Sequence, residues 1–221
     1  MKRALVIGAS GGIGSALAAA LQGQGWQVTG LSRSKDGLDI TREPSVAEHI
    51  GALTGVFQRI VIATGALEID GHRPEKALKQ IDPAAMAAQF ALNAIGPALV
   101  LKHAARLLAR DEPAVLAALS ARVGSIGDNR AGGWHSYRAA KAALNQIIRC
   151  AAIELARTHG QAACVALHPG TVATPFTAKY LDRHPTVAPD MAAQRLLAVM
   201  DGLTPADTGQ FFDYARKPVP W

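Results

Sequence analysis

The tightest constraint on this chain lies near its start. The apolar run Ala4-Leu5-Val6-Ile7 gives way to Gly8-Ala9-Ser10-Gly11-Gly12-Ile13-Gly14 and then to an alanine- and leucine-rich stretch. Strand, glycine turn and helix fit in that order, and such a unit commits the downstream chain to parallel strands joined by right-handed crossovers. The glycines permit a tight turn, close approach of backbone to a pyrophosphate and close packing of helix on strand, while the helix N-terminus offers free N–H groups to an anion. Gly8, Ser10, Gly11, Gly12, Ile13 and Gly14 are therefore expected to cradle a dinucleotide. Lys2 and Arg3 ahead of apolar residues imitate a secretion signal, but four glycines and two serines between Gly8 and Ser15 interrupt it.

The rest of the chain continues the alternation. Apolar runs predict strands at Ala4 to Ile7, Gln27 to Leu31, Arg59 to Ala63, Ala114 to Leu119, Ala162 to Leu167 and Gly209 to Tyr214, with a very short one near Leu38 to Ile40. Helical periodicity falls between them at Ile13 to Gln22, Pro44 to Leu53, Pro83 to Leu108 with a break near Asn93 to Pro97, Ser136 to Thr158, and Pro189 to Met200. The expected architecture is a three-layer α/β sandwich, a doubly wound parallel sheet of Rossmann type, with the ligand at the C-terminal strand edge. At 221 residues it reads as one dinucleotide-binding and catalytic domain spanning 1–221. The weakly periodic stretch from Thr174 to Pro189 is a candidate lid.

Charge and composition bear on partners. The net charge is +6, but the basic residues are scattered and aromatics make up 5%, so a nucleic-acid-binding stripe is not expected. No segment reads as a membrane span, and a cytoplasmic location is expected. Cys150 and Cys164 lie far apart without a CxxC; both read as core packing in a reducing compartment, and no metal site is expected.

Cofactor choice turns on the end of the second strand. An acidic residue about 20 positions beyond the glycine turn would hold ribose hydroxyls, yet that region reads Ser32-Arg33-Ser34-Lys35, with no Asp or Glu between Gly14 and Asp36. Arg33 can engage a 2′-phosphate through two charge-assisted bonds and Lys35 adds charge, so NADP(H) is expected over NAD(H).

Farther on, Tyr137-Arg138-Ala139-Ala140-Lys141 sets a phenol and an ammonium one helical turn apart on one face. A fixed cation favours the phenolate, so the pair is expected to lower the pKa of Tyr137 and let it trade protons near neutrality.

Together these motifs resemble the short-chain dehydrogenase/reductase family, nearly end to end. Asp39 in Leu38-Asp39-Ile40 is similar to the family's adenine-binding aspartate, and Ala63-Thr64-Gly65 stands where the family has Asn-Ala-Gly. Asn93 and Gly96 match its Asn-x-x-Gly, and Pro169-Gly170-Thr171-Val172 with Thr174 is similar to the segment that closes over nicotinamide. The stretch from Ser120 to Asn145 and the ending Phe211 to Trp221 resemble the C-factor and sniffer-type branch. The resemblance implies hydride transfer to or from a small carbonyl or alcohol. Tyr137 would be the proton donor, Lys141 would lower its pKa and bind ribose, and Asn93 would hold a water in a proton relay. It also implies a homodimer or homotetramer.

One position departs from the family. Its members often end the fifth major strand with Ser-Ser, whose second serine bonds the substrate carbonyl, whereas this chain has Ser120-Ala121. Ser125, in the following loop, is the favoured substitute, with Ser120 the alternative on the opposite face of the pleat. The missing serine also leaves open a nucleotide-binding regulator with weak or no turnover. His168 reads as a structural histidine, while Trp134, His135, Phe176 and Tyr180 can line a cleft or anchor loops.

Overall fold

The structure is a computed structural model that describes residues 1–174 and 186–221. Six strands form one parallel sheet: β1 (Arg3–Ile7), β2 (Gln27–Leu31), β3 (Arg59–Ile62), β4 (Ala114–Leu119), β5 (Ala162–His168) and β6 (Phe211–Asp213), in the spatial order β2-β1-β3-β4-β5-β6. The order reverses direction at β1, so the strand ends on either side of that switch open a crevice at the C-terminal edge.

Strand residues alternate between two helical layers, as the two-residue period of a strand dictates. Leu5, Ile7, Ile60, Ile62, Leu116 and Cys164 join one buried cluster with α3 (Glu43–Gly51), α5 (Gly96–Ala104) and α6 (His135–Leu155). Ala4, Val6, Val61, Val115, Ala163 and Val165 join the other, with α1 (Gly12–Gly23) and α7 (Pro189–Asp201). Because both faces are covered there, β1, β3, β4 and β5 read as near-continuous apolar runs.

Several expectations are corrected in detail. Leu38 to Ile40 is no strand; these residues are irregular and lead into a turn at Ile40, with Leu38 and Ile40 buried, and they belong to none of the six described strands. Arg33–Asp36 instead forms a short helix, α2. Cys164 is core, as expected, but Cys150 is exposed on α6.

The region predicted as one broken helix comprises α4 (Pro83–Phe90), a π-helical turn at Ala91–Ile95, then α5 and a 3-10 turn. This run, Pro83–Leu107, is 25 residues with a mean hydropathy of 1.6, long and apolar enough to cross a membrane by length and composition, contrary to the sequence expectation. Its apolarity has a place in this fold, since Ala94, Val100, Leu101, Ala104 and Leu107 are buried. The candidate lid falls largely on residues 175–185, including Phe176 and Tyr180, which lie outside the described residues.

Candidate functional site

The glycine turn after β1 is built by close backbone approach. A Cβ on Gly14 would stand 2.2 Å from the Gly8 carbonyl oxygen, and Gly8 itself has φ +90° against the Ala63 carbonyl. No larger residue allows α1 to start there. The N-cap of α1, Gly11, provides no side-chain cap, so the first-turn N–H groups are left for an outside acceptor. Thr174 lies against this turn, with Cγ2 2.5 Å from where a Cβ on Gly12 would be, and Thr64 Oγ1 is buried without a partner among the described residues. An uncapped helix end, backbone too tight for side chains and an orphaned hydroxyl fit a bound dinucleotide.

Beyond β2, Ser32 caps α2: its hydroxyl accepts from Lys35 N at 3.3 Å and donates to Asp36 Oδ2 at 3.0 Å. Ser32 N donates to the same carboxylate at 2.8 Å. A carboxylate therefore does reach this corner, a fold-back that reading the span before Asp36 could not reveal. Arg33 is exposed, and its positive charge acts on Asp39. Asp39 Oδ1 accepts from Thr41 Oγ1 at 2.7 Å and Thr41 N at 3.0 Å, and the Thr41 hydroxyl bond is the largest influence holding this carboxyl below its ordinary range. The Ile40 side chain packs where Gly96 lacks a Cβ.

At the centre, β3 ends in Ala63-Thr64-Gly65. A Cβ on Gly65 would meet Asn93 Oδ1 at 2.8 Å and Lys141 Nζ at 3.3 Å, so the π turn and α6 converge on one glycine. Asn93, fully buried, accepts from Ala66 N at 3.2 Å and donates to Ala66 O at 2.9 Å and to Gln89 Oε1 at 2.7 Å. Widened π turns are commonly kept at functional positions.

Lys141 Nζ donates to Leu119 O at 3.0 Å, at the end of β4, and burial pushes its ammonium from 10.5 down to about 8. Its Nζ is 6.0 Å from the Tyr137 ring centroid. The expected lowering of the phenol is corrected: Tyr137 is 5% exposed, and burial holds it above the usual tyrosine range. Low polarity disfavours phenolate more than the ammonium at this distance favours it. Trp134 meets the Tyr137 ring edge-on at 6.3 Å.

The two serines differ. Ser120 Oγ donates to Asn145 Oδ1 at 2.6 Å and its proton is thereby used. Ser125 Oγ accepts from Asp128 N at 3.1 Å, is 1% exposed, and its proton has no acceptor among the described residues. Just past the end of β5, Gly170 (φ +80°) lies against the Tyr214 ring beside Pro169, and Val172 is buried and bridged to Val187. His168 accepts from Arg122 N at 3.3 Å and burial pushes it down to about 4, which fits a neutral structural histidine.

Sequence reasoning missed Glu75. From the loop between β3 and α4, its carboxylate accepts from Ser136 N at 3.2 Å and from Ser136 Oγ, at the residue before Tyr137. No local pattern marks a partner 61 positions away.

The family profile described as Enoyl-(Acyl carrier protein) reductase matches residues 8–211. The chain is also 31% identical over 221 residues to a 1-hydroxy-2-glutathionyl-2-methyl-3-butene dehydrogenase of Rhodococcus, covering 96% of each chain. The chain belongs to the short-chain dehydrogenase/reductase family. C-signal of Myxococcus xanthus is 38% identical over 145 residues, 66% of this chain and 84% of that protein. Among solved structures, a short-chain dehydrogenase/reductase from Burkholderia multivorans with bound NADP is 25% identical at a TM-score of 0.81, covering 100% of this chain and 99% of that one. Membership makes this short-chain dehydrogenase/reductase an oxidoreductase by family, with the Rossmann-like sheet of its relatives.

Proposed function

We propose that this short-chain dehydrogenase/reductase is an NADP(H)-dependent carbonyl reductase, working on a small carbonyl or, in reverse, an alcohol. The convergence of Asn93 and Lys141 on Gly65, one helical turn from Tyr137, carries the reading. NADP(H) supplies hydride at carbon when bound. The turn Gly8 to Gly14 would hold its pyrophosphate, Arg33 and Lys35 its 2′-phosphate at the corner that Ser32 caps, and Asp39 with Ile40 its adenine. Ala63, Thr64, Gly65, Pro169, Gly170, Val172 and Thr174 would line the nicotinamide half, with Lys141 on its ribose.

In reduction Tyr137 gives its proton to the substrate oxygen. A phenol that burial keeps protonated is ready as an acid at neutral pH. Lys141 provides positive charge at the β4 edge, Asn93 holds a water for reprotonation, and Ser125 donates to the carbonyl in place of the absent serine at Ala121. Assembly as a homodimer or homotetramer in the cytoplasm belongs to the same reading.

Deuteride transfer tests it. With NADPH labelled at the transferred position and a panel of aldehydes, ketones and quinones, label in the alcohol product supports the proposal, and none in any product contradicts it. Ala121, together with the similarity to C-signal, favours a second reading: an NADP(H)-binding regulator that binds the cofactor without turnover.

A further inference from the structure

We propose that Glu75 is a positioning residue for Tyr137, clamping the first turn of α6 from outside the helix; its catalytic consequence rests on the function proposed above. The helix needs such a clamp. Its N-cap, Trp134, sits in the left-handed region at φ +52° and makes no side-chain cap bond, and its first turn carries no acidic residue. First-turn N–H groups require acceptors, and a carboxylate placed there also opposes the positive end of the helix dipole.

Glu75 supplies both from the loop between β3 and α4. Its two carboxylate oxygens take the Ser136 N–H and the Ser136 hydroxyl, and its own carbonyl accepts from Trp134 N at 2.5 Å. Three bonds from one residue thus fix the helix entry just ahead of Tyr137. Glu75 is 7% exposed and Ser136 3%, so water does not stand in readily for either partner. Burial pushes the Glu75 carboxyl up, but the bonds from the Ser136 hydroxyl and from the backbone N–H groups of Glu75 and Ser136 outweigh it, and the group stays ionised. Glu75, Ser136 and Tyr137 line one small cavity with His72, Arg73 and Gln89, so the clamp adjoins the phenol itself.

A purely structural cap would change stability and leave the folded enzyme's rate alone, whereas a positioning residue changes kcat. The test measures carbonyl-reduction kinetics, NADPH binding and amide exchange over residues 134–138 in wild type, E75A and E75Q. Glu75→Ala is expected to lower kcat about tenfold or more, as small misplacements of a reacting group do, with NADPH affinity kept and exchange at the first turn accelerated. Glu75→Gln, which can still accept from Ser136 N and donate to its hydroxyl, recovers most of both. Wild-type kcat in folded E75A, or unchanged exchange at the first turn, overturns the proposal. If E75A does not fold, Ser136→Ala deletes the hydroxyl bond alone and gives the same comparison, lowered kcat supporting the clamp and wild-type kcat opposing it. Absence of Tyr137-dependent turnover in wild type would instead defeat the functional reading, and exchange alone would then decide whether Glu75 holds the turn.

Discussion

Lys141 Nζ donates to the Leu119 carbonyl at 3.0 Å, so the end of β4 holds a buried ammonium whose pKa falls from 10.5 to about 8. That difference means the folded state disfavours the charge by about 3 kcal/mol. Below pH 8 both folded and unfolded chains are protonated and the whole cost is present; between 8 and 10.5 the unfolded chain binds more protons, so stability rises with pH. Thermal unfolding of wild type against Lys141→Met should therefore show wild type gaining relative stability across that window, and parallel curves would count against a buried charged lysine.

The serines separate by their partners. Ser125→Ala should cost on the order of a hundredfold in rate, as removal of an oxyanion donor does. Ser120→Ala should leave the rate nearly intact but cost about 1–3 kcal/mol of stability, because Asn145 Oδ1 loses a buried donor. Rates and melting curves of the two variants check this together.

Arg33 and Asp36 oppose each other at the corner beyond β2. Arg33→Asp should shift the ratio of kcat/KM toward NADH, since a carboxylate repels a 2′-phosphate. Asp36→Asn should lower the KM for NADPH severalfold while leaving NADH unchanged, as removing a like charge predicts. Kinetics with both cofactors measure each shift.

Gly14→Ala should abolish NADPH binding and destabilise the fold, because the new Cβ would lie 2.2 Å from the Gly8 carbonyl oxygen and neither backbone segment can yield cheaply. Binding titration and thermal unfolding of the variant check both effects.

The sheet was legible because both its faces are covered, so β1, β3, β4 and β5 read as unbroken apolar runs. The glycine turn was legible for a related reason, since its backbone contacts exclude side chains and leave a composition that few other structures need. What could not be read depends on residues meeting across the fold. Glu75 on Ser136 joins segments far apart in sequence, and Asp36 folding back onto Ser32 depends on a helix too short for periodicity to mark. The pKa of Tyr137 went the other way from its spacing to Lys141 because spacing reports the cation and not the depth of burial. Leu38 and Ile40 looked like a strand because burial favours apolar residues whether or not a sheet edge lies beside them.

The central claim is that Tyr137 donates the proton. NADPH binding and carbonyl-dependent NADPH oxidation should be measured on wild type and Tyr137→Phe in parallel. The account predicts unchanged NADPH affinity with turnover lowered by about 10²-fold or more, the scale of a lost general acid; Tyr137→Phe turning over at the wild-type rate would contradict it.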